Sequence, residues 1–173
     1  LVMSLVCHTQ GFYGNTVLWK LNSGFQLWPM PDKRDDDHYA PHSTWLWDTE
    51  LGPPSETAAK HIKIYNNHGL HKLLLPSINC LVDKSWPIVW CTSNDSNFIE
   101  HVAHRISNIN KESYDVSLNE VEKKMLMERE AYEQLKDTYN ILELDVNELI
   151  IKHSTNEYHR LIEHTRIKGE TDV

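Results

Sequence analysis

Apolar side chains recur at heptad spacing from Leu118 onward. Leu118, Val121, Met125, Tyr132, Leu135, Tyr139, Leu142, Val146 and Leu149 fall on successive a and d positions, and up to Leu149 only Glu128 breaks the series. No proline or glycine interrupts the 52 residues from Ser117 to Lys168. The pattern predicts one long or mildly bent helix over 117–168, with its apolar stripe as a seam for a partner helix. Ser117 and Glu120 have the spacing of a capping box at its start. Glu120 with Lys124, Arg129 with Glu133, and Glu148 with Lys152 are opposite charges four apart, each pair contributing about 0.2–0.5 kcal/mol on a solvated flank. Unbroken, such a helix would run about 78 Å at about 1.5 Å per residue, farther than a small domain is wide. One stretch reads two ways. Leu142, Leu144 and Val146 alternate with Glu143, Asp145 and Asn147, the period of a half-buried strand, and Asp145 with Glu148 would cap a new helix at Val146 folding back on the first. The lack of turn residues favours the continuous helix over a helical hairpin, which stays the alternative.

The first 110 residues carry a different pattern. Leu1 to Cys7 reads as a strand, with Gly11 and Gly14 in the turn after it. Val17 to Leu21 and Phe25 to Trp28 flank Asn22-Ser23-Gly24 as a β-hairpin. A polar loop follows from Pro29 to about His42, then Trp45-Leu-Trp as a short strand. Ser55 caps a short helix with Ala58, Ile62 and Tyr65 on its stripe and Gly69 just past its end. Ile78, Cys80 and Val82 alternate into a second hairpin with Trp86–Cys91, whose Pro87 suits an edge strand. Phe98, Ile99, Val102, Ala103, Ile106 and Ile109 lie on one face of a second helix. The expected fold class is therefore α+β. A small antiparallel β-rich domain with two short helices (1–110) leads through a hinge (111–116) to a long segment of coiled-coil character (117–168) and a tail (169–173).

Composition sharpens the division into halves. All seven prolines lie between Pro29 and Pro87 and all six tryptophans at or before Trp90. Residues 1–92 hold 7 Lys/Arg against 8 Asp/Glu and residues 93–173 hold 10 against 17, so most of the net charge of -8 sits in the helical half. That argues against nucleic acid binding there. The three cysteines, Cys7, Cys80 and Cys91, are too few and too widely spaced for a disulfide framework, which points to a reducing, intracellular compartment, cytoplasm or nucleus. No apolar run reaches the roughly 20 residues of a membrane span, and Leu1 to Cys7 is too short for a signal peptide.

Candidate chemistry centres on eleven histidines. His42-Ser43-Thr44 and His153-Ser154-Thr155 both fit the His-x-Thr pattern of two-histidine phosphoesterases, at a frequency chance produces. Asp35-Asp36-Asp37-His38 with His42 could hold a divalent cation, but a run of aspartates is more often a solvated loop. His101 with His104, and His61, His68 and His71, lack the spacing of a zinc hydrolase. Cys7-His8 are adjacent on a strand and point to opposite faces. The sequence thus implies no cofactor and no metal. The expected function is that of a non-catalytic subunit of a protein assembly. Its partner interface comprises the nine seam residues, a hetero-oligomer is favoured over a homodimer, and no membrane is involved. A small histidine-dependent phosphoesterase or metal-assisted hydrolase, using His42 and a second histidine, is the alternative.

Overall fold

The run Ser-Leu-Val-Cys-His from Ser4 is buried at every position, which a strand achieves only when both faces of its sheet are covered. The computed structural model, which describes residues 3–23 and 64–165, supplies that cover. In chain order these residues form β1 (Ser4–His8), α1 (Gly14–Ser23), β2 (Ile64–His68), β3 (Pro87–Thr92), α2 (Ser96–Asn110), α3 (Tyr114–Leu135), β4 (Asn140–Asp145) and α4 (Thr155–Thr165). A 3₁₀ turn at Leu70–Leu74, one helical turn at Pro76–Asn79 and a π turn at Asn147–Ile151 complete them. The strands make a sheet of order β2-β1-β3-β4, parallel throughout. Leu5 lies opposite Tyr65 on one side and Ile88 on the other, and Val89 lies opposite Leu142.

The architecture is α/β, and it overturns the expected antiparallel domain with a coiled-coil extension. Residues 17–23 belong to α1, with Val17, Leu18 and Leu21 wholly buried. Those three positions share a helical face, and this outweighs the period-two reading of a hairpin. Tyr65 is a strand residue and Gly69 follows β2, so the expected helix cannot include Tyr65. Ile78 lies in a helical turn, and β3 is an inner strand rather than an edge, with Pro87 at its first position, where the missing amide is tolerated. The hairpin strand at 25–28, the loop at 29–42, the strand at Trp45 and the helix start at Ser55 lie outside the described residues. The helix over Phe98 to Ile106 is where the pattern put it, capped by the Asp95 carboxylate on Phe98 N at 2.9 Å, although Ile109 is exposed.

The 117–168 segment is not one helix. Its first part starts earlier, at Ser113, whose hydroxyl caps Val116 N, while Ser117 is buried and donates to Glu112. The helix ends at Leu135 and the alternating stretch becomes β4, paired residue by residue with β3. Asp145 then caps the next turn, accepting from Asn147 N at 3.0 Å and Glu148 N at 3.2 Å.

Two cores lie on opposite faces of the sheet. One joins Val6, Ile64, Val89 and Leu144 to α1, α2, α4 and Val121 of α3. The other joins Leu5, Tyr65, Ile88 and Trp90 to the 3₁₀ turn and to Ala131 and Leu135, later on α3. The α3 helix therefore leaves one face and arrives at the other. All nine seam residues pack into these cores: Leu118, Val121, Met125, Leu142, Val146 and Leu149 into the first, Tyr132, Leu135 and Tyr139 into the second. The heptad spacing marks a helix and strand buried by their own chain, not a coiled-coil seam.

Candidate functional site

In open parallel sheets, ligands sit outside the carboxyl ends of the strands, near the point where strand order reverses. Here β1 leads outward to β2 and β3 leads outward the other way to β4, so the reversal lies between β1 and β3. A cavity of about 690 Å³ opens at the carboxyl ends of β1 and β2.

Its floor is the segment from His8 into α1. Tyr13 holds a positive φ of 56°, a conformation costing a non-glycine residue about 1–3 kcal/mol. Contacts with α2 impose it. The Tyr13 ring packs on Phe98 at 5.9 Å, its hydroxyl meets His101 Nε2 at 3.0 Å, and the Arg105 guanidinium lies 4.7 Å over its face. Gly14, the next residue, sits against the His8 imidazole, where a Cβ would come within 1.9 Å of the ring. Only glycine lets the helix start so close to the strand. His8 is buried and donates from Nε2 to Asn66 Oδ1 at 2.7 Å. It pairs in register with His68, their rings 6.4 Å apart.

The wall after β2 is built around a buried carboxylate. Glu128 of α3, 2 % exposed, accepts from the amides of Leu70 and His71 and from His71 Nδ1. Gly69, at φ 86°, leaves room for this, since a Cβ there would lie 2.7 Å from both the carboxylate and the imidazole. The carboxylate fixes the first turn of the 3₁₀ segment and holds His71 at the cavity wall, with Lys72 beside it. The remaining wall comes from Arg105 of α2 and from Lys124 and Met127 of α3.

The electrostatics are one-sided. Arg105, Lys72 and Lys124 reach the cavity together with His8, His68 and His71, and no Asp or Glu among the described residues lines it, in a chain of net charge -8. Arg105 Nη1 is buried without a hydrogen-bond partner among the described residues. Buried donors are almost always paired, and this atom, closed off from solvent, is an exception among the described residues. Among the described residues no group of three His, Cys, Asp or Glu is arranged to hold a metal ion.

A smaller hollow of about 310 Å³ at the carboxyl ends of β3 and β4 is acidic, but its carboxylates are spent on structure. Arg129 forks onto Glu143 at 2.9 and 2.5 Å, Glu157 takes Arg160 and the Asp145 amide, and Glu148 takes Lys152. The two inner-strand thiols, Cys7 and Cys91, are buried, and their thiolate forms are disfavoured. Burial pushes Cys7 well up, with Glu128 and Cys91 adding to the rise, and burial alone does the same to Cys91.

Of the histidines weighed from sequence, His68 and His71 come together at the cavity with His8. His101 meets Tyr13, and His104 stacks on Tyr114 at 4.2 Å. His153 is exposed on a turn at φ 52°. His38, His42, His61 and the Asp35 run lie outside the described residues. Sequence reasoning missed Arg105, Lys72, Lys124, Glu128 and the first turn of α1. The available signal was a strand running straight into Gly11-Phe-Tyr-Gly14-Asn-Thr, a glycine-spaced loop opening a helix, which an antiparallel turn reading concealed. No helix among the described residues is long and apolar enough to cross a membrane. Compared with family models, curated proteins and solved structures, the chain matches none, so fold and site stand on their own geometry.

Proposed function

We propose that this domain binds a small anionic molecule in the cavity at the carboxyl ends of β1 and β2. The observation that carries the reading is the lining: three permanent cations and three imidazoles drawn from five elements of the chain, where the only neighbouring carboxylate among the described contacts, Glu128, lies buried behind His71. A cluster of like charge is self-repelling, and a bound anion relieves it. The volume of about 690 Å³ falls within the roughly 300–1,000 Å³ typical of small-molecule sites. The assembly-subunit expectation relied on nine apolar seam residues; five of them are buried in the chain's own cores and Leu118, Met125, Tyr132 and Leu142 pack partly buried against those cores, which favours the cavity over that face.

Thermal-shift and calorimetric titration with a panel of small carboxylates, sulfonates and phosphates tests the reading. At least one class should bind saturably, and Lys72→Ala/Lys124→Ala together should weaken it, because both side chains line the cavity. Absence of binding across the panel, or affinity indifferent to the double substitution, refutes it.

A further inference from the structure

Resting on that reading, we propose that the ligand carries a phosphoryl group, seated between the first turn of α1 and the Arg105 guanidinium. Three independent features converge there. The leading amides of a helix have no acceptor within it; in α1 the bond from Val17 N to Tyr13 O at 3.0 Å follows Gly14 and Thr16, both of which line the cavity. Arg105 lines the cavity from α2 with its face covered by the Tyr13 ring, which leaves the guanidinium edge for an oxyanion. Lys72 and Lys124 bring two further positive charges from separate elements.

The geometry favours phosphate over carboxylate. A carboxylate offers two oxygens in one plane and a single charge, which one arginine satisfies. Here amides, guanidinium and ammonium groups are presented by α1, α2, α3 and the 3₁₀ turn, and a tetrahedral group with three oxygens and nearly two charges can engage donors from several directions. The glycine at position 14 serves the same end. Its missing Cβ lets the helix begin directly against the His8 ring, which sets the first turn at the cavity floor. The cavity is larger than a phosphoryl group, so the ligand class is a small phosphate ester, with its organic part extending toward Met127 and the imidazoles.

The test uses the full chain, isotope-labelled, titrated with inorganic phosphate, glycerol 3-phosphate and succinate at fixed ionic strength. Phosphate and glycerol 3-phosphate should compete for one site and shift the amide resonances of Gly14 and Thr16, with the ester tighter. Arg105→Gln should weaken both roughly tenfold or more, the scale of a lost charged hydrogen bond. If that variant fails to fold, Lys124→Gln should weaken both in the same direction. Succinate binding while neither phosphate compound does overturns the phosphoryl assignment and leaves the anion site standing. Failure of all three overturns the assignment, and the wider panel then decides the anion reading separately. Phosphate binding without shifts at Gly14 and Thr16, or untouched by the substitutions, also overturns it.

Discussion

Gly14→Ala adds one methyl group where α1 begins, and its cost can be worked from the geometry. The new Cβ would lie 1.9 Å from His8 Cγ and 2.1 Å from Cδ2, whereas unstrained carbon contacts lie at about 3.5–4.0 Å. The ring must therefore move by about 1.5 Å or more. It is hemmed in, being 8 % exposed and bonded through Nε2 to Asn66 at 2.7 Å. Forced overpacking costs about 1–3 kcal/mol, and loss of the buried hydrogen bond about 1–3 kcal/mol more. Alanine's advantage over glycine, about 1 kcal/mol in a helix interior, is smaller at a first position. The net expectation is a loss of about 2–5 kcal/mol, large for a single methyl. Urea unfolding followed by circular dichroism measures it as a lower midpoint at unchanged slope. The His8→Ala background supplies the control: with the ring gone, the Gly14→Ala change should cost almost nothing. An unchanged midpoint, or the same loss in both backgrounds, would refute the claim that contact with His8 requires glycine here.

Glu128→Gln should destabilise the domain by about 1–3 kcal/mol in the same assay, because an amide accepts less strongly from Leu70 N and His71 N and loses the charge facing His71; a change below about 0.5 kcal/mol, the range of an ordinary surface substitution, would mean the carboxylate is not an organising group. His164 has its pKa lowered, chiefly by burial, against the hydrogen bonds its ring makes to the backbone of Ile88 and Asn140, with the nearby charge of Arg160 adding to the fall. The folded state thus binds fewer protons than the unfolded chain, so His164 lowers stability as pH falls below its unfolded value of about 6.5, by at most about 1.4 kcal/mol per pH unit until its folded pKa is passed. In His164→Gln that part of the slope should vanish, and parallel curves for the two proteins would contradict the assignment. Leu135→Asp should unfold the domain itself, since Leu135 is 6 % exposed within the second core; a folded variant with native far-ultraviolet signal would restore the idea of a free seam. Cys80 should react with a thiol reagent in the native state while Cys7 and Cys91, both buried, react only on unfolding, and early modification of three thiols would disprove that burial.

Local signals carried in the sequence located several elements. The apolar stripe from Phe98 to Ile106 marked α2, the alternating stretch from Leu142 contained the strand pattern of β4, and Leu1 to Cys7 covered β1 except for His8. These depend on period and capping, which act within a few residues. What they could not decide was how strands pair. β1 lies between residues 64–68 and 87–92, partners more than fifty positions away, and nothing in a five-residue strand states whether its neighbour runs parallel or antiparallel. The clue was the unbroken apolar run Pro-Ile-Val-Trp-Cys of β3, the composition of a strand covered on both faces. Pro87 disguised it as an edge.

The same non-local pairing ended the long helix. Residues 140–145 have no glycine or proline to stop them, and helical heptads and a strand are both written in their side chains. Docking beside β3 settles the matter, because there the backbone gains a ladder partner along its length while Leu144 is wholly buried. Only the tertiary structure could then assemble the site. His8, His68, His71, Arg105, Lys72 and Lys124 span positions 8 to 124 and meet because the parallel sheet delivers the ends of β1 and β2 to one edge, where the packed helices α2 and α3 present Arg105 and Lys124. The sequence by itself determined which residues are apolar, charged or helix-starting. Which of them share a cavity was decided by long-range pairing, whose energy is realised only when the whole sheet has formed.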